Sequence, residues 1–302
     1  MFQTSGNARY VDIVENCLYN SILSGISLDG KRYFYTNPLR ISADLPYTLR
    51  WPKQRTEYIS CFCCPPNTLR TLCEVQNYVY TLSDEGVWCN LYGGSELDTE
   101  WMGNHIQLLQ ETDYPWDGAV SITLKEVPEK KPLSLFLRVP EWCTKATLAV
   151  NDVPVTTDLK AGTYAEIKRI WKKGDRVAFV MGMEPVLLES HPLVEETRNQ
   201  VAVKRGPVVY CLESMDVEAG KRIDDILIPA DIKFSPVKTE IAGSRVTVLD
   251  GIAHSVDSDS WEGKLYRKVA ENGDRIPIRL IPYYAWGNRG ESEMTVWMLL
   301  ER

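Results

Sequence analysis

Cys61-Phe62-Cys63-Cys64-Pro65-Pro66-Asn67 is the stretch of the chain whose residue types and spacing carry the most chemistry. Three thiols fall within four positions. They stand directly ahead of a segment in which Leu69, Leu72, Cys73, Gln76, Val79 and Tyr80 share one face at helical spacing. Proline is tolerated in a first helical turn, where its missing N–H has no partner to lose. A helix N-terminus presents unpaired N–H groups and partial positive charge, which favours thiolate over thiol. A thiolate is both a nucleophile and a zinc ligand, with Zn–S near ~2.3 Å. Cys63 and Cys64 do not readily bond to each other, because a vicinal disulfide strains the peptide between them. On residue types alone three readings stay open: a structural zinc site, a catalytic thiolate, or inert packing. A closed zinc site takes four donors, and the local sequence offers at most three. His105, His191 and His254 all lie in the later, strand-rich part and read as surface or packing residues.

The other five cysteines (17, 73, 89, 143 and 211) are isolated among apolar neighbours and read as plain buried thiols. An even count of eight might suggest disulfides. The chain is too long for a disulfide-dependent scaffold, and its first residues form no secretory signal.

The elements that must position the cluster come next. Tyr10, Val11, Val14, Cys17, Leu18 and Ile22 recur at three- and four-residue spacings, predicting a helix near the start. A hairpin follows, turning at Asp29-Gly30 and running through Tyr33-Phe34-Tyr35 to a break at Asn37-Pro38. From Gly86 the apolar period drops from 3.6 to 2. Val120/Ile122/Leu124 and Leu133/Leu135/Leu137/Val139 alternate with other residues, and similar runs continue to Met294–Leu299. About a dozen short strands separated by turn residues predict antiparallel β-sandwich or jelly-roll architecture. Three zones result: a mostly helical 1–84, a first β-sandwich at 85–187 and a second at 188–302, with a boundary expected in Met183–Pro192. The fold class is α+β.

The 302 residues carry 34 basic and 41 acidic side chains, a net charge of −7, and are rich in Trp, Tyr and Phe. No Lys/Arg-rich run stands out, which argues against nucleic acid and anionic membrane surfaces as partners. No apolar stretch approaches the ~18–20 residues needed to span a bilayer. A soluble, mildly acidic globular protein is expected. The sequence does not specify its compartment.

Several stretches together resemble the C-terminal part of glycoside hydrolase family 127, the β-L-arabinofuranosidase-like proteins. They include Ala8-Arg9-Tyr10-Val11-Asp12, Glu15-Asn16-Cys17-Leu18-Tyr19-Asn20, Ser24 to Gly30, Tyr33-Phe34-Tyr35-Thr36-Asn37-Pro38-Leu39 and, most specific, Cys63-Cys64-Pro65-Pro66-Asn67. Arg138-Val139-Pro140-Glu141-Trp142, Lys204 to Tyr210 and Pro282 to Gly290 are similar to β-domain signatures of the same family. The resemblance implies that 1–84 is a fragment of an (α/α)6 barrel, helices plus a hairpin, followed by two β-sandwich domains. It implies a retaining glycosidase acting on terminal L-arabinofuranosides or related plant sugars. Cys63 would be the nucleophile, Cys63 and Cys64 zinc ligands, and Tyr35 a substrate-binding residue. A carbohydrate is the expected partner and zinc the expected cofactor of the complete enzyme.

The same resemblance places the acid/base glutamate and a Glu-x-Cys zinc pair upstream of the stretch corresponding to Met1. The chain is therefore expected to start inside a longer protein. Alone it is expected to hold zinc weakly or not at all and to be inactive, so its standing as an enzyme is open. Self-association, or pairing with a separate N-terminal barrel fragment, is expected from the exposed helical remnant. The rival expectation is a non-catalytic carbohydrate-binding or assembly module. In it the Tyr283-Tyr284-Ala285-Trp286 stretch would stack on sugars, although core packing suits those residues better.

Overall fold

The structure is a computed structural model and describes residues 1–43, 49–61, 63–256, 263–268 and 273–302; Phe62 of the cysteine motif lies outside the described residues. The chain divides into two compact units: Met1–Leu18 with Leu69–Glu184, and Tyr19–Thr68 with Pro185–Arg302. The N-terminal helical stretch is thus shared between two β-rich bodies.

In the first unit, one four-stranded sheet runs in the order Thr163–Arg169, Leu133–Val139, Gly86–Cys89, Tyr80–Leu82. Gly86–Cys89 lies parallel to Leu133–Val139, and the other pairs are antiparallel. A second, six-stranded antiparallel sheet runs Ser95–Trp101, Asn104–Thr112, Ala119–Glu126, Arg176–Met181, Ala146–Val150, Val153–Pro154. Period-2 patterning explains its burial. Val120, Ile122 and Leu124 are buried, and so are Val177, Phe179 and Met181 on the neighbouring strand. Leu133–Val139 is buried at every position, as befits a strand covered on both faces.

That strand carries a charge. Arg138 is fully buried, and its guanidinium donates to Asp12 and to Glu15 at 2.5 Å each and to the Asn90 carbonyl. The helix Arg9–Asn16 is thereby fastened to the sheet. Burial pushes the Arg138 pKa down, but Glu15, Tyr114 and Asp12 together more than offset this and the net direction is up. The chain continues from that helix as a π-type turn, Cys17–Ile22.

In the second unit, strands follow the order Val208–Glu213, Arg275–Pro282, Ser244–Ser255, Ile226–Pro229, Met298–Glu301, Gln200–Arg205. Gln200–Arg205 pairs back onto Val208–Glu213, so six strands close a ring. A jelly-roll-like sandwich was expected here, and the difference is closure: a strand buried on one face alternates identically in a sandwich and in a barrel. Val203, Tyr210, Leu212, Ile228, Leu249 and Leu280 belong to its core. Edges are added by Pro185–Glu189, Ser235–Ile241, Met294–Thr295 and Arg40–Ile41.

The hairpin forms as the sequence predicts, with Ile26 bridging Tyr33 and Gly30 at φ 72° in the turn. Its anchor is Arg55, buried and donating to the carbonyls of Ser24, Tyr284 and Trp286. The Arg55 guanidinium lies 4.4 Å from the Phe34 ring centroid, and Phe34 stacks on Trp286 at 4.8 Å. Burial lowers the Arg55 pKa to about 10. Tyr283, Tyr284 and Trp286 are buried, so this stretch is core rather than a stacking platform.

Two of the isolated cysteines differ from expectation. Cys89, Cys143 and Cys211 are buried, whereas Cys17 and Cys73 are exposed. Cys17 sits in the π-type turn and Cys73 in the helix Cys64–Glu74, which has no buried residue. Helical spacing identified a face but not whether anything covers it. Among the described residues, no helix is long and apolar enough to cross a membrane.

Candidate active site

The cysteine cluster stands at the start of the helix Cys64–Glu74. Asn67 fixes the entry: its backbone N–H and its side-chain Nδ2 both donate to the Cys63 carbonyl, at 3.0 and 2.9 Å. Gly25 lets the hairpin approach closely, since a Cβ there would lie 3.0 Å from Thr68 Oγ1.

Three sulfurs meet at Cys63. Its Sγ is 3.1 Å from Cys61 Sγ and 3.5 Å from Cys64 Sγ, and Tyr35 OH stands 4.0 Å away. The Tyr35 ring is held by stacking on Trp51 at 3.8 Å between centroids, and Arg50 caps Trp51 at 4.9 Å. Hydrogen bonding with Cys61 and then Cys64 lowers the Cys63 pKa. Desolvation and the neighbouring Cys63 raise that of Cys64. Proximity to Cys63 raises Tyr35. Cys63 and Cys64 are therefore unequal, and Cys63, exposed to solvent, is the one of the two biased toward thiolate.

Hydrogen bonds link the sequence-selected residues Cys63, Cys64 and Tyr35 in one constellation. Cys61 joins them, a contact that sequence spacing could not specify because it depends on side-chain direction. Asn37 does not join: its Nδ2 is committed to the Ser21 carbonyl at 2.6 Å. Arg70 and Glu74 lie exposed further along the helix. The histidines are engaged elsewhere: His105 with Asp98, His254 with Glu301, and His191 with the Leu193 N–H.

Zinc fits the donors in kind. Two thiolates sharing one tetrahedral ion at ~2.3 Å would sit about 3.8 Å apart, and Cys63 and Cys64 approach that spacing. It does not fit them in number. Among the described residues, no group of three or more His, Cys, Asp or Glu is placed to hold one ion.

Three family models match in succession. Residues 1–77 match the catalytic domain of GH127 β-L-arabinofuranosidases, 86–183 the middle domain, and 185–299 the family 127 C-terminal domain. The chain belongs to glycoside hydrolase family 127. A curated relative, a non-reducing end β-L-arabinofuranosidase of Bifidobacterium longum subsp. longum, is 30% identical over 98% of this chain and 46% of its own length. A solved structure titled glycoside hydrolase is 65% identical, with a TM-score of 0.96 over 100% of this chain and 50% of that one. A GH127 β-L-arabinofuranosidase from Geobacillus stearothermophilus T6 is 36% identical, with a TM-score of 0.89 over 100% of this chain and 48% of its own. The chain thus spans about half the length of the family 127 proteins it matches.

Two Glu-x-Cys triplets occur in this family 127 chain, Glu15-Asn16-Cys17 and Glu141-Trp142-Cys143. The structure commits the first to the fold. Glu15 is 1% exposed; one oxygen binds Arg138 and Tyr114 and the other accepts from Trp142 Nε1. Both oxygens of Glu15 are thus engaged in holding helix to sheet within the first unit.

Proposed function

We propose that this chain supplies the nucleophile of a retaining glycoside hydrolase acting on terminal L-arabinofuranosides or related plant sugars. The observation that carries this reading is Cys63: an exposed thiol at a helix start, biased toward thiolate by Cys61 and Cys64 and faced by Tyr35, in a chain of family 127. Most glycosidases use two carboxylates; here a thiolate takes the nucleophile's place. Cys63 Sγ attacks the anomeric carbon as the aglycone oxygen departs, giving a thioglycoside, and water then attacks the same carbon and releases the thiolate. Two displacements retain configuration. Tyr35, fixed by Trp51, is placed to bond a sugar hydroxyl beside the sulfur. Zinc, when bound, would keep the thiolates deprotonated; Cys63 and Cys64 would hold it, with Cys61 adjacent.

The helices of 1–84 are read as part of an (α/α)6 barrel, with 85–187 and 188–302 as the β domains behind it. Ile13, Leu69 and Tyr78 are exposed on these helices. They support self-association or docking of a separate N-terminal barrel fragment.

Among the described residues no carboxylic acid accompanies the thiol in the constellation, and general-acid assistance contributes about 10²–10⁴-fold. The 302-residue chain assayed alone on methyl β-L-arabinofuranoside is therefore expected to show no turnover above buffer. Robust turnover by the chain alone would overturn the inactivity. Turnover surviving Cys63→Ala would overturn the nucleophile. Elemental analysis is expected to find well under one zinc per chain; one tightly held ion would reveal a donor beyond Cys63 and Cys64.

A further inference from the structure

A cavity of about 470 Å³ opens in the second unit, and Lys233, His254 and Arg275 line it together. Small-molecule sites occupy about 300–1,000 Å³. Part of its wall is one face of the paired strands Ser244–Ser255 and Arg275–Pro282. Ala253, Ser255 and Ile276 are buried on the other face, so the alternation of a strand turns His254 and Arg275 toward the cavity side. All three basic side chains are reachable: Lys233 and Arg275 are exposed, and the His254 side chain is 25% exposed.

Their charges are not paired off within the fold. Across the same two strands, Arg279 donates to both oxygens of Asp250 at 2.7 Å each. Four residues earlier, the position directly opposite Arg275 holds His254 in place of a carboxylate. Among the described residues, neither Arg275 nor Lys233 has an ion-pair partner. His254 Nδ1 is bonded to Glu301 Oε2, which leaves Nε2 as its open nitrogen. Like charges directly opposite on a sheet are destabilising, so the fold gains nothing by gathering these bases here. Asp231 lines the same cavity and offsets one of the two unpaired cations, which leaves one positive charge to be met.

That balance narrows the ligand. A metal cation is repelled, a neutral ligand leaves the charge unmet, and a phosphate dianion brings more charge than the site lacks. A carboxylate brings one charge and two oxygens that match the guanidinium fork. The remaining lining is apolar: Pro229, Ile232 and Ile252, the last 44% exposed. It suits the C–H face of a ring that carries the carboxylate.

We propose that this cavity binds one sugar acid, a hexuronate, with its carboxylate on Arg275 and Lys233, its ring face on Ile232 and Ile252, and a hydroxyl on His254 Nε2. The choice of a sugar acid over another ring carboxylate rests on the glycoside hydrolase reading; the carboxylate site rests on the unpaired cations. In that setting it is a non-catalytic subsite for an acidic unit of a plant saccharide.

The test is calorimetric titration of the intact chain with D-glucuronate, D-glucose, benzoate and inorganic phosphate. Saturable 1:1 binding is expected for glucuronate and not for glucose. It should weaken about ten-fold or more in Arg275→Gln and in Lys233→Met, each of which removes a charge-assisted hydrogen bond. It should be unchanged in Cys63→Ala and in Arg198→Gln, which removes an equal charge outside the cavity. No saturable glucuronate binding, or binding indifferent to Arg275, overturns the site and leaves the glycosidase reading standing. Phosphate or benzoate binding as tight as glucuronate overturns the sugar acid as its ligand. Binding lost in Cys63→Ala places the sugar at the thiols and overturns this subsite. Glucuronate binding that depends on Arg275 while Cys63 proves catalytically idle supports the site and overturns the glycosidase reading instead.

Discussion

Cys63 differs from its neighbours by a few hydrogen bonds, and that difference is measurable. Alkylation proceeds through the thiolate, so a thiol with a lowered pKa reacts sooner as pH rises. Cys63 is expected to consume iodoacetamide several-fold faster than exposed Cys17 and Cys73 at pH 7.5, as followed by peptide mass spectrometry. Cys61→Ser removes the neighbouring thiol that contributes most to the shift and should move the Cys63 rate profile to higher pH. An unchanged profile would mean that the Cys61 contact does not bias Cys63. At this scale the sequence was legible where chemistry is contiguous: three thiols and a helix start are visible as a string. Tyr35 was reachable only through the family resemblance, because its place beside Cys63 depends on a hairpin folding back over 28 positions.

At the scale of elements, the buried ion-pair group couples helix to sheet. Arg138 sits 123 residues from Glu15, and nothing in either local pattern announces their contact. Glu15 reads as an ordinary polar position on a helix, yet it is buried among Arg138, Tyr114 and Trp142. Removing one partner of a buried pair leaves an uncompensated charge, which costs about 3–5 kcal/mol. Glu15→Ala is therefore expected to lower the unfolding free energy by that amount in urea titration. A loss below about 1 kcal/mol would show that Arg138 finds other acceptors. Strands were more legible than their assembly. Val120–Leu124, Leu133–Val139 and Ile276–Ile281 each lie within an observed strand, because period-2 burial is local. Closure of the second unit into a ring was not legible, since the pairing of Gln200–Arg205 with both Val208–Glu213 and Met298–Glu301 leaves no mark on alternation.

For the whole molecule, the N-terminal stretch belongs to two bodies rather than one. Residues 1–18 pack with the first β unit and 19–68 with the second, through Arg138 and Arg55 respectively. A linear reading sees one helical zone, because division of a segment between units is a tertiary property. The cysteine site is held by the second unit's own hairpin, anchored by Arg55 onto the Tyr284 and Trp286 carbonyls. The central proposal is that Cys63 is a nucleophile with no carboxylic acid beside it among the described residues. An aglycone that departs without protonation bypasses that lack. The most direct measurement is intact-protein and peptide mass spectrometry after incubating the chain with 2,4-dinitrophenyl β-L-arabinofuranoside. The account predicts one anhydropentose unit on the peptide carrying Cys63, absent in Cys63→Ala. No adduct, or an adduct that survives Cys63→Ala, would contradict it.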